Sequence, residues 1–226
     1  MIALLDSDIL CYRVGFATNE ENASTALETM ALFLEDLLLF DLLDTDGYEL
    51  FLTGKTNFRN EVAVTAPYKG NRTDKAKPVH LQLLREYLVT AWDAKVSDGQ
   101  EADDDIAIRA TELGDEALIV SLDKDFLQVP VWHYNFLKKE KKHVSVEEGL
   151  RFFYKQILMG DTADNIKGVW RVGPVKADKM LEGLTTEQEW YQCCVEALGE
   201  ERVLENARLL WLRRTPNEMW EPPKEV

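Results

Sequence analysis

Short apolar runs, several of them ending in acidic residues, recur along the chain and constrain its fold more than any other feature. The runs IALLD, YELFLTG and EALIVSLDKD have the length and composition of buried parallel strands. Helical patterns separate them, so strand and helix alternate through most of the sequence. This alternation predicts an α/β fold with a largely parallel sheet. Such sheets place their sites at the carboxyl ends of strands, where Asp6 and Asp123 fall.

The helices of this predicted fold have recognisable boundaries. One runs from about Ser24 to Leu43, with Ser24 or Thr25 as its N-cap, and another begins at Pro78 with the proline in its first turn. A third covers GQEADDDIAIRATELG, and Ser145 with Glu148 forms the capping box of a fourth.

The pattern changes after about Gly160, where the strands are predicted to stop. Helices are expected over residues 177–181, 187–198 and 200–214. The chain is therefore divided into a catalytic core of residues 1–159 and a helical region of residues 160–226.

Acidic residues gather at the ends of these elements. The candidate metal ligands are Asp6, Glu101, Asp103, Asp104, Asp123, Asp125, Asp161 and Asp164. Carboxylates that close together repel one another unless a positive charge lies between them, and hard divalent cations prefer oxygen ligands. Paired ions of this kind hydrolyse phosphodiesters, so the spacing predicts a metal-dependent nuclease.

Each acidic cluster also has a plainer interpretation. Glu101 and Asp104 stand three apart and share a helix face, but acids also cap helices. Asp123 and Asp125 follow a buried strand, where aspartate commonly forms turns. Asp161 and Asp164 stand three apart and are predicted to project from one helical turn. The clusters together favour ligands over caps and turns.

Two other segments indicate contacts with nucleic acid. Gly168, Gly173 and Pro174 predict a tight turn between helices that offers backbone amides to phosphate, and Trp170 lies in it. An ordinary helix–loop–helix is the alternative, although Lys176 after the turn favours phosphate binding. A basic stretch comes earlier in the chain. It contains Lys55, Arg59, Tyr68, Lys69, Arg72, Lys75 and Lys77.

The basic stretch has the residue types that a cleaved phosphate needs. Lys69 and Arg72 can stabilise developing charge, and Tyr68 can stack on a base. A solvated loop is the alternative, and it is the usual fate of such a charge run.

Composition sets broader limits. The 226 residues carry a net charge of −15, which taken alone argues against a nucleic-acid-binding protein. The uneven placement of the basic residues weakens that argument, because local potential decides where phosphates dock. No apolar span reaches membrane length, no signal peptide is recognisable, and three cysteines form neither a disulfide framework nor a zinc site. A cytoplasmic monomer is expected.

The motifs LLDSD, NFRNE with YKGNR, GQEADDDIA, SLDKDFLQ and GDTADNIKGVWRVGPVKA occur in this order along nearly the whole chain. In this combination the chain resembles the flap-endonuclease-like 5′-nuclease superfamily, most closely the small bacteriophage 5′–3′ exonucleases.

That resemblance implies a PIN-like α/β core with a helix–three-turn–helix element and two divalent ions, Mg²⁺ or Mn²⁺. Lys69 and Arg72 match the basic residues at the family's gateway, where they act on the scissile phosphate. The implied substrate is DNA with 5′ ends, flaps, nicks or branches, in phage DNA replication or degradation inside the bacterial host cytoplasm. The resemblance does not decide whether a hybrid of RNA and DNA is also a substrate.

The turn between Gly168 and Gly173 matches the family's DNA-gripping element. The residues implied in this contact are Gly168, Val169, Trp170, Arg171, Val172, Gly173 and Lys176. The family also binds K⁺ there, which implies Val169 and Val172 as its ligands.

One departure from the family is clear. Thr53 stands where many relatives carry an aspartate at the end of the second strand, and threonine is the weaker ligand. Two alternatives stay open at this point. DSD at the first strand's end also resembles haloacid-dehalogenase-like phosphatases, with Asp6 as nucleophile and Asp8 as acid/base. A non-catalytic protein that binds branched DNA is the other alternative, if Thr53 has disabled the metal site.

Overall fold

A computed structural model describes residues 1–72 and 76–224. Its main element is a six-stranded sheet in which the strands lie in the order β3-β2-β1-β4-β5-β6. The strands are β1 Ile2–Asp6, β2 Gly47–Leu52, β3 Lys95–Val96, β4 Ala117–Val120, β5 Trp132–Asn135 and β6 Glu140–His143. All neighbouring pairs are parallel except β5 and β6, which form an antiparallel hairpin at one edge. The predicted α/β fold with a largely parallel sheet is confirmed.

The centre of the sheet is apolar on both faces. In β1, for example, Ala3, Leu4 and Leu5 have no exposed surface. Such strands need helices on each side, because water must be excluded from both faces of a parallel sheet. The helices around the sheet are α1 Ser7–Ala17, α2 Ala23–Asp36, α4 Leu81–Trp92 and α5 Ala102–Leu113, with a short α3 at Arg59–Val62. Leu5 of β1 and Leu10 of α1 belong to the apolar cluster on one face of the sheet. Leu4 of β1 and Ile106 of α5 belong to the cluster on the other face.

The C-terminal part is mainly helical and has its own apolar cluster. Its helices are α6 Val146–Met159, α7 Pro174–Met180, α8 Glu187–Leu198 and α9 Glu200–Leu210. Phe153 and Ile157 of α6 pack there with Trp190 and Val203. This cluster therefore includes a helix from before residue 160, and the division into residues 1–159 and 160–226 stays a prediction.

The region after Met159 is not free of strands, which corrects the prediction that strands stop near Gly160. Gly160–Asp161 (β7) and Ile166–Lys167 (β8) pair as a small antiparallel hairpin. Asp161 and Asp164 therefore lie in a hairpin and its turn, not on a helical turn as predicted. The turn at residues 168–173 likewise follows a strand rather than a helix.

Several predicted boundaries also differ. The helix expected from Ser24 to Leu43 is α2 followed by a π-helical turn, Leu37–Asp41, and its N-cap is Asn22, whose side chain accepts from the N–H of Thr25 at 3.0 Å. Pro78 precedes α4 instead of lying in its first turn. The capping box of Ser145 and Glu148 on α6 is present.

Candidate active site

Seven of the eight predicted acidic ligands line one cleft of about 1080 Å³ at the carboxyl edge of the sheet. They are Asp6, Glu101, Asp103, Asp123, Asp125, Asp161 and Asp164. Asp6 ends β1, and Asp123 follows β4, which is the neighbour of β1 in the sheet. The sheet therefore brings together residues that lie far apart in the sequence.

Asp6 sits at the floor of this cleft and is 5 % exposed. Its carboxylate caps α1 and accepts a hydrogen bond from the Ser121 hydroxyl at 2.8 Å. Burial raises the pKa of Asp6 to about 7; the hydrogen bonds from Ser121 and Ile9 lower it, and the nearby charges of Asp8 and Asp123 raise it, but burial is the largest effect. Burial and the charge of Asp6 also raise the pKa of Asp103 well above its ordinary value. These carboxylates face one another with too little positive charge between them.

The second group of acids lies between the turn after β4 and the hairpin of β7 and β8. Asp125 accepts from the Gln156 amide at 2.7 Å, and burial with the neighbouring Asp123 raises its pKa to about 7. Asp161 accepts the backbone N–H groups of Ala163 at 2.6 Å and Asp164 at 3.2 Å, so its side chain organises the hairpin turn. Burial raises the pKa of Asp164 as well.

Three basic side chains stand between the acids. Lys69 bonds Glu101, and Arg72 bonds Asp164. The ammonium of Lys124 lies 3.3 Å from Asp161 and 3.6 Å from Asp125. The Lys124 side chain is 58 % exposed, so it can swing away from the acids at little cost in packing.

The donor set suits hard divalent cations, because every candidate ligand is a carboxylate and the buried ones repel one another. Within the described ranges, however, no three acidic, histidine or cysteine side chains stand close enough together to enclose one ion. Lys69, Arg72 and Lys124 hold Glu101, Asp164 and Asp161 in ion pairs. The chemistry of the site fits metal binding, and the side chains would have to rearrange around an ion.

Asp104 is the predicted ligand that does not line the cleft. It is fully buried, and both of its oxygens accept from the Arg59 guanidinium, at 2.5 Å and 2.9 Å. Arg59 is 1 % exposed and also donates to the backbone carbonyls of Leu209 and Trp211. The predicted contact of Arg59 with nucleic acid is therefore corrected: this pair joins α3 and α5 to the end of α9 inside the protein.

Tyr68 also differs from its prediction. Its ring is 9 % exposed and packs in the C-terminal apolar cluster, so it is not available to stack on a base. Its hydroxyl oxygen lies 2.9 Å from Glu101 Oε2 and 2.9 Å from Asp164 Oδ2, so its single proton can be donated to either carboxylate. Tyr68 instead positions two acids of the cleft.

Thr53, directly after β2, has a structural role. Its hydroxyl accepts from the backbone N–H of Ala102 at 3.0 Å, at the first residue of α5. Thr53 thus ties the end of β2 to the helix that follows Glu101.

The turn between β8 and α7 carries the other predicted nucleic-acid contacts. The backbone N–H of Val169 donates to the carbonyl oxygen of Leu158 at 2.7 Å. The side chains of Val169 and Val172 pack against the C-terminal apolar cluster. Trp170 is 83 % exposed, and the Arg171 guanidinium lies 5.5 Å from the centre of its ring. Lys176 is exposed on the following helix. Lys75, predicted as part of the basic stretch, lies outside the residues that the structure describes.

Sequence reasoning missed several residues at the cleft, among them Asp8, Arg85 and Lys124, which line it, and Ser121, which bonds Asp6. Ser121 lies two positions before Asp123 and Lys124 directly after it, so their place in SLDKD is the available signal. Asp8 was considered only for a phosphatase, and Arg85 had no local signal, because its partners Asp8 and Thr53 are distant in the sequence.

Comparison with known proteins decides the family. The model of the 5′-3′ exonuclease N-terminal resolvase-like domain matches residues 1–154. The chain belongs to this family. Membership excludes the phosphatase alternative, because the family's proteins are nucleases.

Two named relatives show how far the similarity in sequence extends. A 5′-3′ exonuclease of Buchnera aphidicola is 30% identical over 195 residues, which cover 76% of this chain and 66% of that protein. DNA polymerase I of Bacillus caldotenax is 28% identical over 222 residues, which cover 88% of this chain and 25% of the polymerase. The chain thus spans about two thirds of the first relative and a quarter of the second.

Solved structures share the fold. The T5 D15 protein co-crystallised with metal ions superimposes with a TM-score of 0.67 at 21% identity, covering 92% of this chain and 88% of that one. The catalytic core of Rad2 in complex with DNA has a TM-score of 0.51 at 16% identity, covering 84% of this chain and 64% of that one. Across residues 1–72 and 76–224, no helix has the length and apolar character needed to span a membrane.

Proposed function

We propose that this protein is a divalent-metal-dependent 5′-nuclease that hydrolyses DNA phosphodiesters. The observation that carries the proposal is the convergence of seven acidic side chains in one cleft beside Lys69 and Arg72. Family membership supports it, and the fold shared with the metal-bound T5 D15 protein supports the use of metal ions.

The acidic and the basic residues of the cleft would have different roles in this reaction. Asp6, Asp103 and Glu101 would hold one Mg²⁺ or Mn²⁺ ion and Asp125, Asp161 and Asp164 another, with Asp123 between the two groups. Bound divalent ions would activate water and offset charge on the phosphate. Lys69 and Arg72, which already lie against the acids, would turn towards the scissile phosphate and stabilise its developing negative charge.

Duplex binding would fall to the turn at residues 168–173 and to Lys176. This turn follows the hairpin that carries Asp161 and Asp164, so a backbone gripped there lies next to the acids. Contacts to phosphate do not read sequence, and the proposed nuclease would therefore select DNA by shape. Coordination of K⁺ by Val169 and Val172 stays a prediction.

The test is digestion of end-labelled DNA by the wild type and by Asp123→Asn. Duplexes with a 5′ flap, a nick or a blunt end are incubated with Mg²⁺, with Mn²⁺ and with EDTA. We expect metal-dependent release of short 5′ products by the wild type and a loss of at least about a hundredfold in the variant, since a ligand carboxylate is removed. Duplex binding should survive, because Asp123 is not one of the residues of the turn at residues 168–173.

The same assay separates the remaining possibilities. Product lengths distinguish exonuclease from flap-cutting activity, and a hybrid of RNA and DNA tests the second substrate. Tight binding of branched DNA without cleavage, even with Mn²⁺, would replace the proposed nuclease by a non-catalytic binding protein. A role in phage DNA replication is part of the proposal and follows from the likeness to phage enzymes alone.

A further inference from the structure

A second groove lies between the end of α2 and the hairpin of β5 and β6, and it shares no residue with the cleft of the acids. Its volume is about 380 Å³, and its apolar lining consists of Phe33, Leu37, Phe40 and Phe136. The rings of Phe33 and Phe136 meet edge to face, with their centres 5.6 Å apart. Leu37 and Phe136 are buried in the core, so these two side chains give the groove a fixed apolar lining.

Large apolar side chains continue from this groove over the exposed side of the same segment. Leu39, Phe40 and Leu43 are each at least 60 % exposed, and so is Leu32, two helical turns before Leu39. Single exposed apolar residues are ordinary on a protein surface. Four of them within twelve residues, next to an apolar groove, form a patch of the kind that marks a contact surface.

The backbone is also irregular at this patch. The π-helical turn Leu37–Asp41 follows α2 directly, and the N–H of Leu42 donates to the carbonyl oxygen of Leu37 at 3.0 Å. Such turns are rare and are frequent at functional sites. The irregular turn carries Leu39 and Phe40, two of the exposed apolar side chains.

The hairpin on the other side of the groove is basic. Its four lysines are Lys138, Lys139, Lys141 and Lys142, and all of them are exposed. Glu140 is the one acid among them, in a chain whose net charge is −15. Of the two acids that line the groove, Asp36 and Asp41, the second pairs with Lys139 at 3.1 Å. The groove is therefore bordered by a local excess of positive charge.

This combination fits a polypeptide that carries a large apolar side chain and several carboxylates. A nucleic acid would use the lysines but not the aliphatic Leu32, Leu39 and Leu43, since bases stack on aromatic rings. A second copy of the chain would bring the same lysines to a twofold contact, where like charges repel. An acidic segment of another protein uses both the apolar surface and the charge.

We infer that the groove between α2 and the β5–β6 hairpin is a docking surface for an acidic segment of a partner protein. One large apolar side chain of that segment is buried beside Phe40, and its carboxylates pair with the lysines of the hairpin. Because the groove and the acidic cleft share no residue, the partner and a substrate can be bound at the same time.

The experiment begins with a library of random twelve-residue peptides displayed on phage and selected on the full wild-type chain. We expect the selected sequences to be enriched in aspartate or glutamate together with phenylalanine, leucine or isoleucine. The most enriched peptide is then synthesised with a fluorophore, and anisotropy gives its dissociation constant. Replacement of its large apolar residues by alanine should weaken binding at least about tenfold, because the buried anchor is lost.

Variants of the chain then locate the peptide. Phe40→Ala should weaken binding at least about tenfold, since it removes the exposed ring of the groove. The double variant Lys138→Gln with Lys142→Gln should weaken binding about threefold or more at low salt. That second difference should shrink as salt is added, because exposed charges are screened.

Matched controls separate docking from a general loss of apolar surface or charge. Val64→Ala shortens an apolar side chain that is 86 % exposed and does not line the groove. Lys95→Gln removes a lysine from β3, at the opposite edge of the sheet. Both should bind the peptide as the wild type does, and thermal unfolding of every variant checks that the fold is kept.

Two results would overturn the inference. The selection could give no acidic and apolar consensus, or Phe40→Ala could bind the selected peptide as tightly as Val64→Ala does. The other occupants are tested in parallel with a single-stranded oligonucleotide, with vesicles of anionic phospholipid and by sedimentation equilibrium of the chain alone. If Phe40→Ala abolished one of these associations while leaving peptide binding intact, the groove would belong to that occupant instead.

Discussion

A buried ion pair, Arg59 with Asp104, shows how one residue's role depends on its surroundings. Asp104 is a predicted ligand by its spacing from Glu101, yet its partner Arg59 lies 45 positions away in the sequence and inside the protein. Burial alone would lower the pKa of Arg59, and the adjacent Asp104 reverses that effect and raises it. The two charges are stable in the interior because each satisfies the other.

Replacement of Asp104 should therefore act on the stability of the fold rather than directly on a reaction in the cleft. Asp104→Ala leaves an unpaired guanidinium in the interior, and we expect a loss of about 3–5 kcal/mol in the free energy of unfolding. Urea unfolding followed by circular dichroism measures it. Asp105→Ala, on the same helical turn but half-buried, is the control and should cost under about 1 kcal/mol. Equal losses in both variants would contradict the role of the pair.

His133 gives the fold a dependence on pH. Its Nε2 lies 2.8 Å from the carbonyl oxygen of Val129, and burial lowers the pKa of the ring from 6.5 to about 4, with Lys142 and His143 adding to the effect. In the unfolded chain, the His133 ring binds a proton below about pH 6.5. In the folded chain, the ring binds this proton only below about pH 4. Stability from the neutral ring is thus present above the unfolded pKa and is lost as the pH falls towards the folded one.

His133→Gln removes this titration. Between pH 7 and pH 5 the wild type should lose about 1–2 kcal/mol more unfolding free energy than the variant does. Urea titrations at the two pH values measure the difference, in which the contributions of all other groups cancel. A difference that does not change with pH would show that the ring has the same pKa in the folded and the unfolded protein.

At the scale of elements, the hairpin of β7 and β8 depends on close backbone contact. A Cβ at Gly168 would lie 2.2 Å from the carbonyl carbon of Met159 and 2.3 Å from the nitrogen of Gly160. Both neighbours are backbone atoms, so no side-chain movement could relieve the clash. The glycine is therefore required where the chain leaves the hairpin.

Gly168→Ala should consequently lower the free energy of unfolding by about 1–3 kcal/mol and displace Asp161 and Asp164. Gly173→Ala is the matched control in the same turn, because a Cβ there meets nothing within 4 Å and φ is −110°. Thermal unfolding compares the two variants. If Gly168→Ala were as stable as Gly173→Ala, the close contact of Gly168 with the backbone of Met159 and Gly160 would be wrong.

The elements also show what a sequence can predict. The buried strands β1, β2 and β4 were found because continuous apolar runs are their direct consequence. Helix α1 was missed, since its exposed Tyr12 and Phe16 and its buried Leu10 and Val14 leave no polar stripe. The two-residue strands β7 and β8 are too short to carry any period.

For the site, all eight acids were predicted to meet, and seven of them line one cleft. Asp6 and Asp123 do so because the ends of β1 and β4 determine their place. The roles of Arg59, Tyr68, Asp104 and Arg85 depend instead on partners that are distant in the sequence. Burial of an individual charged side chain is decided by this packing, which no local pattern records.

At the scale of the whole molecule, the crowded carboxylates make the metal-free fold less stable than it could be. A ligand that binds only the folded state stabilises it by about 2.7 kcal/mol at a concentration of a hundred times its dissociation constant. Mg²⁺ should therefore raise the melting temperature, and EDTA should reverse the rise.

The control for this effect is the removal of a carboxylate that we propose as a ligand. Asp6→Asn should melt no earlier than the wild type without metal, because a desolvated acid is removed, and should respond less to Mg²⁺. Differential scanning calorimetry at equal ionic strength, balanced with Na⁺, isolates binding from screening. An identical response in both proteins would place the ion elsewhere.

The acids of the cleft come from widely separated parts of the sequence, from Asp6 at the first strand to Asp164 in the late hairpin. A ribosome must therefore have made most of the protein before the last of them can join the first. Under the proposed function, a growing polypeptide would not yet be able to cut the DNA around it, and neither would a proteolytic fragment that has lost the hairpin.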